Sequence, residues 1–266
     1  RRIQREGDLS ARVRLGDGRD EVYTLARTFD ELLDTIEAGV KREKQFTSDV
    51  SHELRTPVSV ILMQCDELLG QETLPQELRR ELETIRRKAL NMSRMIAQLL
   101  ELSRADQGRA QLELEDLDFS ELSEMSVAEA HTIAAQKSIA IEAKIAPGLH
   151  LVGDQTLLIR LWGNLMENAI RYGRESGHIW VTVDQLDGCI RMQIRDDGIG
   201  IAKEDLPHIW ERFYRADRSR TDSGSSGLGL SMVQWIVRAH HGEITAESEP
   251  GRGTLFTCLL PLKNKN

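Results

Sequence analysis

The chain has 266 residues, 40% of them hydrophobic and 29% charged, and a formal net charge of −8. That length suits one large domain or two to three small ones with their own cores. The composition excludes a disordered tail, the acidic balance argues against a nucleic-acid binder, and no apolar run approaches the ~18–20 residues that span a bilayer. The first twenty residues are polar, with "GDGRD" as a turn and no signal-like apolar segment behind the opening arginines, and they read as the start of a piece of a longer protein. From Val22 the apolar residues Leu25, Phe29, Leu32 and Ile36 follow at spacings of three and four, a narrow stripe that needs a partner helix. The frame weakens at Gly39, and a four-residue step through Val40 reads as a stutter. Phe46, Val50, Leu54, Pro57, Ile61, Cys65 and Leu68 resume it and are expected to be the buried stripe. Gly70 and Pro75 end that helix, and a second, from about Leu78 to Leu102, closes at "SRADQGR". A helical hairpin alone buries too little, so dimerisation into a four-helix bundle is expected.

After Gly108 strands and helices alternate. "QLELEDLD", "SIAIEAKI" and "HLVG" read as strands, with a helix from Ser120 to Gln136 between the first two. Asp154 is the expected N-cap of a helix ending near Tyr172. "HIWVTVDQLDGCIRMQIRDDG" is a hairpin turning at Asp187-Gly188, and "EITAESEPGRGTLFTCLLPL" another turning at Pro250-Gly251. Antiparallel strands under helices make an α/β sandwich. Cys65, Cys189 and Cys258 lie apart in apolar patterns and are expected to be buried, reduced thiols, with no metal-ligand spacing.

"FTSDVSHELRTPVSVI" places His52 in the first long helix. At about 100° per residue, His52 falls nearly opposite the expected stripe, with Thr56 on the same outward side and Glu53 between. Pro57 frees the carbonyl of Glu53 and favours a bend beside the histidine. On the helix alone, a surface histidine without a task stays open.

Four downstream stretches belong to the same question. "NLMENAIRY" sets Asn164 and Asn168 one helical turn apart with Glu167 between, which suits a hard cation such as phosphate-borne Mg²⁺ as well as a solvated amide pair. "DDGIGI" follows a strand, so its glycines let a ligand approach the backbone and a buried Asp196 can meet an exocyclic amine; an ordinary turn looks similar. In "GSSGLGLSMVQWIV", Gly224, Gly227 and Gly229 lead straight into an amphipathic helix, whose first N–H groups attract phosphate. It is not a P-loop, for the chain has no Gly-Lys dipeptide. "IWERFYRADRSRTDS" is either a lid whose cations, Arg212, Arg215, Arg218 and Arg220, neutralise a triphosphate or a solvated basic loop.

Together these stretches resemble a sensor histidine kinase of the two-component type. "SHELRTP" resembles its phosphoacceptor box. "NLMENAIRY", "DDGIGI", "IWERFYR" and "GSSGLGL" resemble, in order and spacing, the asparagine, first glycine, phenylalanine and second glycine boxes of its ATP-binding domain. "GDLSARV" and "DEVYTLARTFDELLD" look like the later part of a HAMP signal-relay domain. Trp210 stands where Phe is common, and Arg171 where Lys is common.

The resemblance implies a helical coiled coil and dimeric four-helix bundle followed by an α/β sandwich of the histidine kinase, chaperone and gyrase type. It divides the chain into a partial HAMP region over 1–40, a dimerisation and phosphotransfer hairpin over 41–107, and a catalytic ATP-binding domain over 108–266. It implies ATP and Mg²⁺, a phosphoryl group accepted by His52 with Glu53 as general base, and Thr56 in dephosphorylation of a response regulator. It further implies Mg²⁺ on Asn164 and Asn168, with Arg171 and Tyr172 beside the nucleotide. Asp196 would read the adenine amine in a pocket shaped by Gly198 and Gly200. Arg215, Gly224, Gly227, Leu228 and Gly229 would form the phosphate lid. The partners implied are a second copy and a response regulator, without nucleic acid, in the cytoplasmic portion of a bacterial inner-membrane protein. Two other classes compete: an ATPase of the same fold without phosphotransfer, and a non-catalytic dimerisation scaffold.

Overall fold

The computed structural model describes residues 21–71, 73–106, 111–216 and 226–262, apart from the side chains of 21–24, 26, 37–38, 40–49, 51–52 and 106. The polar opening segment and its "GDGRD" turn lie outside the described residues. The chain divides into two compact units, Arg1–Arg109 and Ala110–Asn266.

The first unit is a helical hairpin. Helix α1 (Glu21–Leu69) runs through the expected stutter near Val40 without a break and contains Pro57. It ends at Gly70, and α2 (Gln76–Asp106) follows a short loop. Arg79 reaches back from α2 and donates through Nη1 to the carbonyl of Leu69 (2.9 Å) and through Nη2 to that of Gln71 (3.1 Å), covering carbonyls that the end of α1 leaves open. Arg86 pairs with Asp66 at 2.5 Å across the same hairpin.

The apolar stripe of α1 differs from the expected one. Of the expected residues with described side chains, Cys65 is buried and Val50 half-buried. Val58, outside the expected set, is buried and clusters with Ala89, Ile96 and Leu100 of α2, with Leu62 packed against it, and Leu33 is buried earlier in α1. Leu54, Pro57, Ile61 and Leu68 are exposed. The averaged stripe merged two adjacent faces, one that packs on α2 and one that does not. On α2 the residues Leu78, Ile85 and Met92, spaced by seven, are likewise exposed.

The second unit opens with β1 (Glu115–Asp118), shorter than "QLELEDLD" predicts. The backbone N–H of Glu113 donates to the Asp154 carboxylate (3.1 Å) and not to a neighbouring strand. Asp118 caps α3 (Phe119–Ala134), accepting from the N–H groups of Ser120 and Glu121. Strands β2 (Ala140–Ile145) and β3 (His150–Gly153) precede α4 (Gln155–Tyr172), where Asp154 is the N-cap as expected, accepting from the N–H of Leu157 at 3.0 Å. The hairpin of β4 (His178–Leu186) and β5 (Cys189–Asp196) turns through Asp187 (φ 50°) and Gly188 (φ 80°), two successive left-handed residues of the kind a tight hairpin needs. Helix α5 (Gly229–Ala239) and the hairpin of β6 (Glu243–Glu249) and β7 (Gly253–Pro261) complete the unit.

Strands β1 and β3 form a small antiparallel pair, and the main sheet has the order β2-β4-β5-β7-β6. It is mixed and not purely antiparallel, because β2 pairs with β4 in parallel. The stretch between them, holding β3 and α4, is long enough for the crossover a parallel pair requires. Alternate residues Ile179, Val181 and Val183 of β4 and Ile190, Met192 and Ile194 of β5 are buried, as are Leu158, Leu161, Trp162 and Leu165 of α4 and Met232, Val233 and Ile236 of α5. That core holds α4 and α5 in place. All three cysteines are free; Cys65 and Cys258 are buried, whereas Cys189, at the start of β5, is half-buried. Among the described residues no helix is long and apolar enough to cross a membrane.

Candidate functional site

Asp196 ends β5 and is only 4% exposed. Burial raises its carboxyl pKa above the usual carboxylate value; N–H bonds from Gly198 and Thr254 oppose that rise, and the neighbouring charge of Asp197 adds to it. The Gly198 N–H lies 2.9 Å from Oδ1. A Cβ on Gly198 would stand 2.1 Å from the Tyr172 carbonyl oxygen, so the loop needs glycine to pass the end of α4. Gly200 has φ 69°, and a Cβ there would stand 2.1 Å from the Glu249 carbonyl oxygen.

Asn164 and Asn168 are half-buried on α4, as are Arg171 and Tyr172 at its end. The Asn164 amide nitrogen donates to the Arg160 carbonyl (2.9 Å), and its Oδ1 would lie 3.1 Å from a Cβ on Gly229, the first residue of α5. The amide and the helix start are therefore neighbours. Glu167, read as an aid to a cation, is exposed and pairs with Arg171. Leu228 is fully buried, and Gly227 (φ 68°) packs on the backbone of Phe213, whose N–H donates to the Gly227 carbonyl at 2.9 Å. Arg212 and Arg215 are half-buried. Gly224, Arg218 and Arg220 lie outside the described residues.

His52 lies in α1, but its side chain is outside the described residues; Glu53, Thr56 and Pro57 of the same helix are exposed. Helix α4 thus meets the Asp196 loop at one end, through Tyr172 and Gly198, and the start of α5 further back, through Asn164 and Gly229. His52, Glu53 and Thr56 belong to the other unit.

Sequence reasoning missed the wall behind Asp196. Gly253 (φ 90°) comes so close that a Cβ would lie 1.9 Å from the Asp196 carbonyl oxygen, and the Thr254 N–H bonds the Asp196 carboxylate. One signal was present: "GRGT" holds a second glycine that the turn at Pro250-Gly251 does not need.

These residues fit a purine nucleotide with a hard cation. A buried acceptor stands beside a glycine-lined loop, and an amide oxygen faces the start of a helix. Among the described residues no group of three His, Cys, Asp or Glu side chains can hold a metal, so a cation here would rely on amide oxygens and on phosphate.

The fold and site define a nucleotide-binding α/β sandwich in one chain with a helical hairpin. Residues 153–264 match the family described as histidine kinase-, DNA gyrase B- and HSP90-like ATPases. Residues 42–108 match the His Kinase A phospho-acceptor domain, and residues 1–38 the HAMP domain. The chain belongs to the sensor histidine kinases of two-component systems. It is 30% identical over 258 residues to the signal transduction histidine-protein kinase BaeS of Escherichia coli (strain K12), covering 97% of this chain and 55% of that protein. With the sensor histidine kinase YkoH of Bacillus subtilis (strain 168) it shares 31% over 265 residues, 98% of this chain and 57% of that one. The chain therefore spans little more than half the length of these relatives. The crystal structure of full-length ShkA in complex with AMPPNP has the same fold (TM-score 0.71, 24% identity, 82% of this chain and 46% of that one).

Proposed function

We propose that this chain is the ATP-dependent kinase portion of a sensor histidine kinase, with a HAMP region over 1–40, a phosphotransfer hairpin over 41–107 and a catalytic domain over 108–266. The observation that carries the reading is the buried Asp196 in its glycine-lined loop, on a sandwich that shares its chain with the "SHELRTP" helix.

ATP binds with its exocyclic amine toward Asp196 and its phosphates toward Gly227–Gly229. The amide oxygens of Asn164 and Asn168 would hold Mg²⁺, which supplies charge neutralisation. A ring nitrogen of neutral His52 attacks the γ-phosphorus, forming an N–P bond as the P–O bond to ADP breaks. Glu53 accepts or orients the other ring proton, as phosphoryl transfer is chiefly a matter of alignment and charge. An aspartate of a response regulator then takes the phosphoryl group, and Thr56 positions water for its later hydrolysis. The exposed rows Leu54/Ile61/Leu68 and Leu78/Ile85/Met92 meet a second copy of the hairpin. The HAMP region links the full protein to a membrane anchor.

Incubation with γ-labelled ATP and Mg²⁺ tests the reading. Acid-labile, alkali-stable label is expected on the chain and lost in His52→Ala. ATP hydrolysis without label would favour the ATPase alternative, and neither hydrolysis nor label the scaffold.

A further inference from the structure

The turn joining β6 to β7 is bolted to the glycine loop that follows Asp196, although some fifty residues separate them. The Gly251 N–H donates to the Ile199 carbonyl (2.8 Å), Gly200 packs on the Glu249 carbonyl, and Gly253 packs on that of Asp196. One side chain joins both parts. The Ser248 hydroxyl accepts from the Ile201 N–H (2.8 Å), donates to the Gly253 carbonyl (2.8 Å) and shares a bond of 2.9 Å with the Thr254 hydroxyl. Because its proton goes to Gly253, the Thr254 hydroxyl is the donor in the third bond, and a serine oxygen with one proton and two lone pairs is then fully used.

Each of those partners bears on Asp196. Ile201 closes the loop containing Gly198, whose N–H bonds the carboxylate, and Thr254 supplies the other backbone N–H. We infer that Ser248 is a positioning residue for base recognition, clamping the Gly198–Ile201 loop to the Gly253–Thr254 segment at the spacing that aims the Asp196 carboxylate at an exocyclic amine. This rests on the adenine-nucleotide reading above. Removal of the hydroxyl would leave the Ile201 N–H, the Gly253 carbonyl and the Thr254 hydroxyl without this partner, and the loop would relax to find others.

The test compares ADP with IDP, whose base has a carbonyl in place of the amine, by calorimetry on the intact chain with Mg²⁺. The wild-type chain is expected to prefer ADP. Ser248→Ala should weaken ADP binding about tenfold and leave IDP binding within about twofold, so that the preference collapses. Ser248→Thr, which keeps a hydroxyl, should restore it. Should Ser248→Ala not fold, Ser248→Cys keeps the shape with a weaker donor and acceptor and should show the same loss in smaller measure. A folded Ala or Cys variant with the wild-type ADP/IDP ratio, or a parallel loss of both ligands, overturns the inference while the adenine reading stands. A wild-type chain that binds ADP and IDP equally overturns both.

Discussion

Gly198 passes so close to the Tyr172 carbonyl oxygen that a Cβ would meet it at 2.1 Å, and the next residue, Ile199, donates its N–H to that same oxygen at 3.1 Å. No side chain fits between the loop and the end of α4, and the obstacle is backbone that cannot swing aside. Gly198→Ala should push the loop off α4, costing the domain on the order of 1–3 kcal/mol. It should also weaken ADP binding more than tenfold, since the Gly198 N–H that bonds Asp196 moves with it. Thermal melts and calorimetry on the same sample check this; an Ala variant that binds ADP normally would remove Gly198 from the pocket.

Asp196 gives the site a pH signature. Burial raises its carboxyl pKa, so the folded domain holds that proton more tightly than the unfolded chain does. The stability this contributes is full below the ordinary carboxylate value of about 4 and is lost as pH climbs through the raised value. As pH rises above the ordinary carboxylate value, Asp196→Asn should therefore gain melting temperature relative to the wild type. Nucleotide affinity should run the opposite way, since an amine prefers the ionised acceptor. Wild-type ADP binding tightens with pH, and the Asn variant binds at least about tenfold more weakly without that dependence. Parallel melting curves would show that the carboxyl does not titrate as its burial demands.

Features governed by near neighbours were legible in the sequence. Asp154 caps α4 because an aspartate before an amphipathic run offers its oxygen to the next free N–H, and Asp187-Gly188 turns because both residues tolerate positive φ. The order of the glycine-bearing stretches carried the family. Pairings between distant segments were not legible. Nothing local in "AIEAKI" says that its partner runs parallel, nor does "QLELE" reveal that an aspartate forty-one residues on takes the Glu113 N–H. Ser248 and Gly253 matter only because β6 and β7 return to the Asp196 loop. On α1 the periodicity located the apolar arc, but averaging cannot separate the part that packs on α2 from the part that is exposed in the single chain.

The two exposed rows on the hairpin predict its oligomeric state. Leu54, Ile61 and Leu68 recur every seven residues on α1, as do Leu78, Ile85 and Met92 on α2, and each is at least 39% exposed in the single chain. An apolar seam that regular suits a second hairpin, the occupant proposed above. A carboxylate placed in it would lose water without gaining a partner, at a cost of several kcal/mol. Ile61→Glu and Ile85→Glu should each turn a dimer into a monomer by light scattering, leaving ADP binding unchanged because the sandwich is a separate unit. Dimers persisting in both variants would place the interface elsewhere.

Asn164 and Gly229 allow the phosphate end of the site to be tested apart from the adenine end. A methyl group at residue 229 would stand 3.1 Å from the Asn164 amide oxygen, closer than ordinary contact. The amide cannot turn away freely, because its nitrogen is held by the Arg160 carbonyl at 2.9 Å. Gly229→Ala should therefore either shift the start of α5 or break that bond, and both displace an oxygen proposed to bind Mg²⁺. The fold should survive, since alanine is the better helix former and its conformation there needs no positive φ. Mg-ATP affinity is expected to fall several-fold while adenosine, which lacks phosphates, binds as before. Loss of adenosine binding in equal measure would mean that Gly229 acts on the whole pocket, and unchanged Mg-ATP binding would take the Asn164 oxygen out of the cation site.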